Sequence, residues 1–121
     1  MAHERTLAVI RERVRRGDYV ISFTHTEKLR ERKISADDVE EAIDDGEIIE
    51  DYSDDPRGPS CLVLGRSGGR PLHVVCGRLG EQRVLIITAY EPDPAEWESD
   101  WRTRRRKSGD GRELLLLPGH C

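Results

Sequence analysis

Residues 61–90 read CLVLGRSGGRPLHVVCGRLGEQRVLIITAY and carry the clearest strand pattern in this chain of 121 residues. Glycine-containing loops separate three runs rich in β-branched and aliphatic residues, which is the pattern of successive β-strands. The three runs are 61–64, 72–76 and 84–90. Because residues 67–69 (Ser-Gly-Gly) suit a tight hairpin and 77–82 suit a longer one, the three strands are predicted to be antiparallel neighbours.

The two-residue period of a strand decides which of these side chains share a face of the sheet. In the middle strand, His73 and Val75 are predicted on one face and Cys76 on the other, together with Leu72 and Val74. Thr88 and Tyr90 share a face in the last strand. His73 therefore points away from Cys76, which argues against a catalytic pair formed by these two residues.

Three helices and two further strands are predicted before residue 61. The strands are 19–23 and 47–52. The first helix spans 4–16, because Leu7, Ile10 and Val14 recur at helical spacing, and Gly17 is expected to end it.

Two capping residues predict the next two helices. Thr26 is expected to begin a short helix that runs to Lys33. Ser35, with Asp38 three residues later, forms a carboxylate variant of the capping box and begins another helix, which ends at Gly46.

These elements predict an α+β fold in which N-terminal helices pack on a mainly antiparallel sheet of four to five strands. Residues 1–107 are assigned to a single domain, and 108–121 to a flexible C-terminal tail that contains the apolar run 114–117. Pro92 and Pro94 exclude a strand after Tyr90 but permit a short helix, whose tryptophans, Trp97 and Trp101, would cover the core.

The composition limits the location and the partners of the protein. The formal net charge is -4, and eleven acidic residues with no basic one lie between residues 37 and 55. Such a protein does not coat nucleic acid without specificity, because that mode of binding requires clustered Lys and Arg. No membrane span, signal peptide or closely spaced cysteine pair is recognisable, so a cytoplasmic location without a membrane partner is predicted.

Residues 25–35, HTEKLRERKIS, form a compact cationic segment in this acidic chain. Lys28 and Arg32 are spaced i, i+4 and lie side by side on a helix, where like charges repel unless an anion lies between them. That anion can be a phosphate. It can equally be a carboxylate, from Glu31 or from the acidic helix that follows.

Cleavage of an RNA phosphodiester is the function that uses most of the candidate residues. Attack by a 2′-hydroxyl requires a base, an acid for the leaving oxygen and cations for the charge on phosphorus. His25 or His73 can act as acid or base, Lys28 and Arg32 as cations, and Tyr90 as a hydroxyl or a stacking ring. Each also has a structural explanation, since His73 can be a hydrogen-bonded sheet residue and Tyr90 can cover the core. No close-spaced ligand pair indicates a metal, and no cofactor is expected.

The order of the motifs HTEKLRERKIS, IIEDY, PSCLVLG, PLHVVC and VLIITAYEPDPAEW resembles a family of small bacterial domains of unknown function, allied to the BrnT, RelE and MqsR type toxins. The resemblance extends from about residue 20 to residue 105. Its pattern has a histidine, a cation, an apolar residue and an arginine, here His25, Lys28, Leu29 and Arg32. It also has the strand histidine, here His73, and the ending Thr88-Ala89-Tyr90, and glycine is common where this chain has Lys33.

The resemblance implies a RelE-like fold and a metal-independent endoribonuclease of a type II toxin–antitoxin pair. The implied partners are RNA, as single-stranded or ribosome-bound mRNA, and a cognate antitoxin protein. The alternative hypothesis is a non-catalytic protein-interaction module of the same fold, in which the Arg32 segment pairs with acids and the run 114–117 docks on a partner. A homodimer is a further assembly that the sequence allows.

Overall fold

The computed structural model describes residues 2–105, apart from 53, 55, 57 and 78–82. In chain order its elements are α1 (Ala2–Arg15), β1 (Tyr19–Ile21), α2 (Phe23–Glu31), α3 (Ala36–Asp44), β2 (Glu47–Tyr52), β3 (Ser60–Ser67), β4 (Arg70–Gly77) and β5 (Val84–Tyr90). The predicted tail, 108–121, lies outside the described residues. None of the described helices is long and apolar enough to cross a membrane.

The five strands form one mixed sheet in the order β1-β5-β4-β3-β2. β2 to β5 make the antiparallel meander that the sequence predicts. β1 instead runs parallel to β5, with Tyr19 opposite Val84 and Ile21 opposite Ile86. The parallel pairing is possible because α2, α3 and three strands separate β1 from β5, whereas a short turn joins only antiparallel strands. The α+β class is therefore confirmed, and the RelE-like affiliation stays a prediction.

The ends of α1 and α3 follow the predicted capping signals. Gly17 has a φ of 78°, the left-handed conformation that favours glycine after a helix. Ser35 accepts a hydrogen bond from the Asp38 amide at 3.1 Å, and the Asp38 carboxylate accepts one from the Ser35 amide at 2.8 Å. This reciprocal capping box satisfies two amides that the first turn of α3 would leave without partners.

The start of α2 corrects the prediction that Thr26 caps the helix. Ser22 occupies the N-cap position, although its side chain makes no capping hydrogen bond, and α2 begins at Phe23. The Ser22 amide donates to the Ile86 carbonyl at 2.8 Å, so the chain turns into the helix directly from the sheet. Thr26 lies within the first turns, where its hydroxyl donates to the Ser22 carbonyl at 3.2 Å. The first strand is correspondingly shorter than predicted.

Different parts of the chain pack on the two faces of the sheet, as the predicted alternation of side chains along the strands requires. Leu72, Val74 and Cys76 belong to the core beneath the helices, whereas Val75 packs with Leu62 and Trp97 on the second face. On the helical side, α3 lies directly on β3. A Cβ atom at Gly65 would overlap the carbonyl of Ala42, so only glycine permits this approach.

The second face is covered by residues 96–105, which we call the C-terminal hairpin. The predicted short helix is wrong here, because Trp97 and Arg104 form an antiparallel bridge and the Glu98 amide donates to the Thr103 carbonyl at 2.8 Å. The Asp100 carboxylate accepts hydrogen bonds from the amides of Arg102 and Thr103, both at 3.0 Å, which favours a tight turn over a helix. Trp97 is only 2% exposed and covers the sheet as expected.

Candidate functional site

The last turn of α2 holds Arg32 in a defined position. Lys33, the next residue, has a φ of 60° and lies in the left-handed region. Its amide donates to the Arg30 carbonyl at 3.1 Å, and the Ile34 amide donates to the Leu29 carbonyl at 2.9 Å. These two bonds define a Schellman motif, and the buried side chains of Leu29 and Ile34 are its usual hydrophobic pair. The glycine-like conformation of Lys33 therefore has a clear role in ending the helix.

Arg32 lies against the open edge of β5. The pairing of β1 with β5 ends at Ile86, so none of the described strands pairs on that side with the residues that follow. There the Nη1 atom of Arg32 donates to the Ala89 carbonyl at 2.7 Å and to the Thr88 hydroxyl at 3.3 Å. Among the described residues, no carboxylate pairs with this guanidinium, and Nε and Nη2 have no protein acceptor. Arg32 can therefore bind an anion while it stays anchored to the sheet.

Lys28 lies one helical turn before Arg32 and is also exposed to solvent. Within the described part of the chain it makes no ion pair with Glu31 or with the acidic helix α3. The internal neutralisation of Lys28 and Arg32 that the sequence allowed is thus not found among these residues. The backbone of His25 belongs to the same helix, but its side chain lies outside the described part of the structure.

His73 is buried in the second face of the sheet, beneath the C-terminal hairpin. Its Nε2 atom lies 2.7 Å from the Trp101 carbonyl, which can only accept a hydrogen bond. Nε2 therefore carries the proton, and Nδ1 has no partner among the described residues. The rings of Trp97 and Tyr90 meet the imidazole edge-on, with centroids at 4.5 and 5.4 Å. Burial lowers the pKa of His73, so the ring is neutral at pH 7.

Tyr90 connects the histidine to the arginine. It lies directly opposite His73 in the register of β4 and β5, and its side chain is half-buried. Thr88, two residues earlier, lies opposite Val75 and so faces the same side of the sheet. Since Arg32 binds Thr88, the predicted residues Arg32, Tyr90 and His73 all lie around the end of β5, although only Arg32 and Tyr90 reach solvent.

The structure adds three residues that the sequence reasoning missed, Glu50, Tyr52 and Arg104. The Arg104 guanidinium makes two hydrogen bonds to the Glu50 carboxylate, at 2.8 and 2.9 Å, and the Tyr52 hydroxyl donates to the same carboxylate. Arg104 also lies 4.6 Å from the centre of the Trp97 ring. Burial tends to raise the pKa of Glu50, but the hydrogen bonds from Arg104 and Tyr52 outweigh it and lower that pKa. Glu50 lies in the acidic run 37–55, and Arg104 lies in the sequence 102–107, which contains four arginines and one lysine. The opposite charges of these two segments were the available signal.

The neutral state of His73 predicts a pH dependence of folding. The imidazole titrates near 6.5 in the unfolded chain but at a lower pKa in the fold, so the unfolded state binds more protons as the pH falls below about 6.5. The free energy of unfolding should then decrease by up to about 1.4 kcal/mol per pH unit. Urea unfolding between pH 7.5 and 5.5 measures this slope above most of the titration of Glu50, whose pKa is lowered in the fold.

His73→Gln is the control for this prediction, because its amide can still donate to the Trp101 carbonyl without gaining a charge. The variant should show a flatter dependence of stability on pH. Equal slopes for the two proteins would mean that His73 is not the titrating group.

Lys33→Gly should raise the free energy of unfolding by about 0.5–1 kcal/mol, because glycine adopts the left-handed conformation without the steric cost of a Cβ atom. Lys33→Ala is the matched control, since it removes the same charge and keeps the strain. Thermal melts of the three proteins measure the difference. A Lys33→Gly variant no more stable than Lys33→Ala would contradict the geometry of this turn.

The fold and the site define a small α+β protein in which a helix-terminal arginine is anchored to the open edge of a mixed sheet. The chain belongs to the family of the domain of unknown function DUF4258, which matches residues 25–91. No curated protein and no solved structure matches the chain. The matched region contains Lys28, Arg32, His73 and Tyr90, and it leaves out α1, β1 and the C-terminal hairpin.

Proposed function

We propose that this protein is a metal-independent endoribonuclease toxin of a bacterial type II toxin–antitoxin pair and that it cleaves mRNA in the cytoplasm. The observation that carries the proposal is the state of Arg32. In a chain of net charge -4, its guanidinium is exposed, is anchored by Nη1 to β5, and has no carboxylate partner among the described residues. A fixed cation without an internal counter-ion is what binding of a scissile phosphate requires.

The proposed reaction is an internal transfer at phosphorus. The 2′-oxygen of one nucleotide forms a bond to the adjacent phosphorus as its proton passes to a base, and the bond to the 5′-oxygen breaks as an acid protonates that oxygen. The products are a 2′,3′-cyclic phosphate and a 5′-hydroxyl. Arg32 and Lys28 stabilise the negative charge on the phosphoryl oxygens, which is greatest in the transition state.

His25 and Tyr90 are the candidates for the acid and the base, and the buried His73 has a positioning role. Tyr90 is close to Arg32 along β5 and is partly exposed, so it can reach an RNA strand either with its hydroxyl or by stacking on a base. His73 is fully buried and neutral, so in this conformation it positions the Tyr90 ring rather than touching the substrate. His25 remains a candidate because it belongs to the same helix as Lys28.

Purified protein incubated with single-stranded RNA in excess EDTA tests the proposed reaction. We expect fragments that end in a 2′,3′-cyclic phosphate, and we expect induction of the protein alone to arrest bacterial growth. Co-expression of a neighbouring small antitoxin gene should relieve the arrest. Intact free and ribosome-bound mRNA, together with normal growth, would refute the proposal.

A non-catalytic protein-interaction module is the second candidate function. The burial of His73 favours it, because the imidazole is bonded to the Trp101 carbonyl and is out of reach of a substrate. In that case a tight complex with a partner protein forms and no RNA is cleaved. Metal-free cleavage that is lost in Arg32→Ala would exclude this second function.

A further inference from the structure

The outer face of α1 carries a row of exposed side chains that we call the outer stripe. It consists of Arg5, Ala8, Val9 and Glu12. These residues are spaced i, i+3, i+4 and i+7, so they lie along one face of the helix. At about 3.6 residues per turn, the opposite face is the one that is buried in the core through Leu7, Ile10 and Val14. The outer stripe therefore points away from the rest of the protein.

The two charged residues of the outer stripe have no ion-pair partner in the described part of the chain. The arginines one turn after Glu12 are bonded elsewhere, since Arg15 pairs with Asp44 at 2.5 Å and Arg16 pairs with the carboxylate two residues later. Arg5 and Glu12 are two turns apart, which is too far for them to pair with each other. The stripe thus presents one positive and one negative group to solvent.

Apolar side chains lie between these two charges. Among the described residues, Val9 and Val20 are the large hydrophobic residues that remain exposed. A single exposed valine needs no explanation in general. Here, however, Val9 and its neighbour Ala8 lie midway between two opposite charges, and their small side chains allow a second helix to approach closely.

The outer stripe is complementary to itself when two copies of α1 lie antiparallel. A two-fold axis midway between residues 8 and 9 places Arg5 of one copy opposite Glu12 of the other, because the two residues lie at equal distances from the axis on opposite sides. The same axis places Ala8 opposite Val9. An ion pair then flanks an apolar centre on each side of the axis. A parallel arrangement would instead bring like charges together.

We propose that the outer stripe binds a second copy of this chain, so that two antiparallel α1 helices form the contact of a homodimer. A second copy fits because the charges of the stripe match their own two-fold image. The contact between two helices is small compared with the roughly 800 Å² per partner of a stable interface, so we expect a Kd of about 10–100 µM. The inference is independent of the proposed nuclease, because the stripe contains none of its residues and precedes the region that matches the family.

Charge reversal in the outer stripe tests the inference by sedimentation equilibrium of the full chain. Arg5→Glu brings like charges together on both sides of the axis, and so does Glu12→Arg. Each single variant should therefore raise the Kd of the dimer by about tenfold. Arg5→Glu places a negative charge near the start of α1 and Glu12→Arg a positive charge near its end. Both changes suit the helix dipole, so misfolding does not account for a loss.

Restoration of the dimer by complementary charges is the sharper measurement. The double variant Arg5→Glu/Glu12→Arg has opposite charges across the axis again and should dimerise as the wild type does. An equimolar mixture of the two single variants should form a heterodimer for the same reason. Arg30→Glu is the matched control, because it makes the same change of net charge at an exposed position of α2 and should leave the Kd unchanged.

Three results would overturn the inference. The first is a wild-type protein that stays monomeric up to about 1 mM, including one that uses the outer stripe to bind a different protein. The second is a dimer that neither single reversal weakens, since its contact would then lie elsewhere. The third is a dimer that both reversals weaken and that neither the double variant nor the mixture restores, because its helices would then not be antiparallel.

Discussion

Arg32→Ala should reduce RNA cleavage by about 10²–10³-fold and relieve the growth arrest, because it removes a fixed cation from the transition-state charge. Arg32 is suited to this role because Nη1 is already bonded to the Ala89 carbonyl and the Thr88 hydroxyl. The cation therefore needs no reorganisation when the phosphate binds. Rates of cleavage of a labelled oligonucleotide, measured in EDTA, give the size of the effect.

Two control variants separate the role of Arg32 from a loss of charge or of folding. Arg30→Ala removes the same charge from an exposed position on the same helix and should keep most of the activity. Arg32→Lys keeps the charge but loses the planar group that can bind the sheet and a phosphate together. Its rate of cleavage should therefore lie between those of the wild type and Arg32→Ala. Thermal melts must accompany the assays, because loss of the bond to Ala89 costs about 1 kcal/mol of stability. Full activity in a folded Arg32→Ala variant would exclude the proposed role.

Trp97→Ala should lower the free energy of unfolding by about 3–5 kcal/mol, which is a large part of the stability of a domain of this size. The side chain is 2% exposed and packs with Leu62 and Val75 on the second face of the sheet. Its ring also supports the imidazole of His73 and the guanidinium of Arg104. Unfolding in urea, followed by circular dichroism, measures the loss.

Trp101→Ala provides the matched comparison for this experiment. Both tryptophans belong to the C-terminal hairpin, but Trp101 is only half-buried and contacts His73 through its backbone carbonyl, which the substitution keeps. Trp101→Ala should lower the free energy of unfolding clearly less than Trp97→Ala does. If the free energy of unfolding of Trp97→Ala lies within about 1 kcal/mol of the wild-type value, the hairpin does not cover the sheet in solution.

The candidate site could be predicted only in part from the sequence. Lys28 and Arg32 were recognisable from their spacing, and His73 and Tyr90 from the alternation of their strands. Glu50 and Arg104 are 54 positions apart, and no local pattern relates them. The sequence also could not show that His73 is buried beside the Trp101 carbonyl. That burial depends on the C-terminal hairpin, whose tight turn is held by the Asp100 side chain.

The sequence by itself determined the elements whose causes lie within a few residues. The capping box of Ser35 and Asp38, the stop at Gly17 and the alternation in β4 depend on backbone bonds and side chains that are neighbours in the chain. Tertiary structure alone decided the parallel pairing of β1 with β5, the start of α2 at Phe23 and the anchoring of Arg32 on β5. Each of these depends on hydrogen bonds between segments more than 50 residues apart, which form only when the packing of the whole sheet brings those segments together.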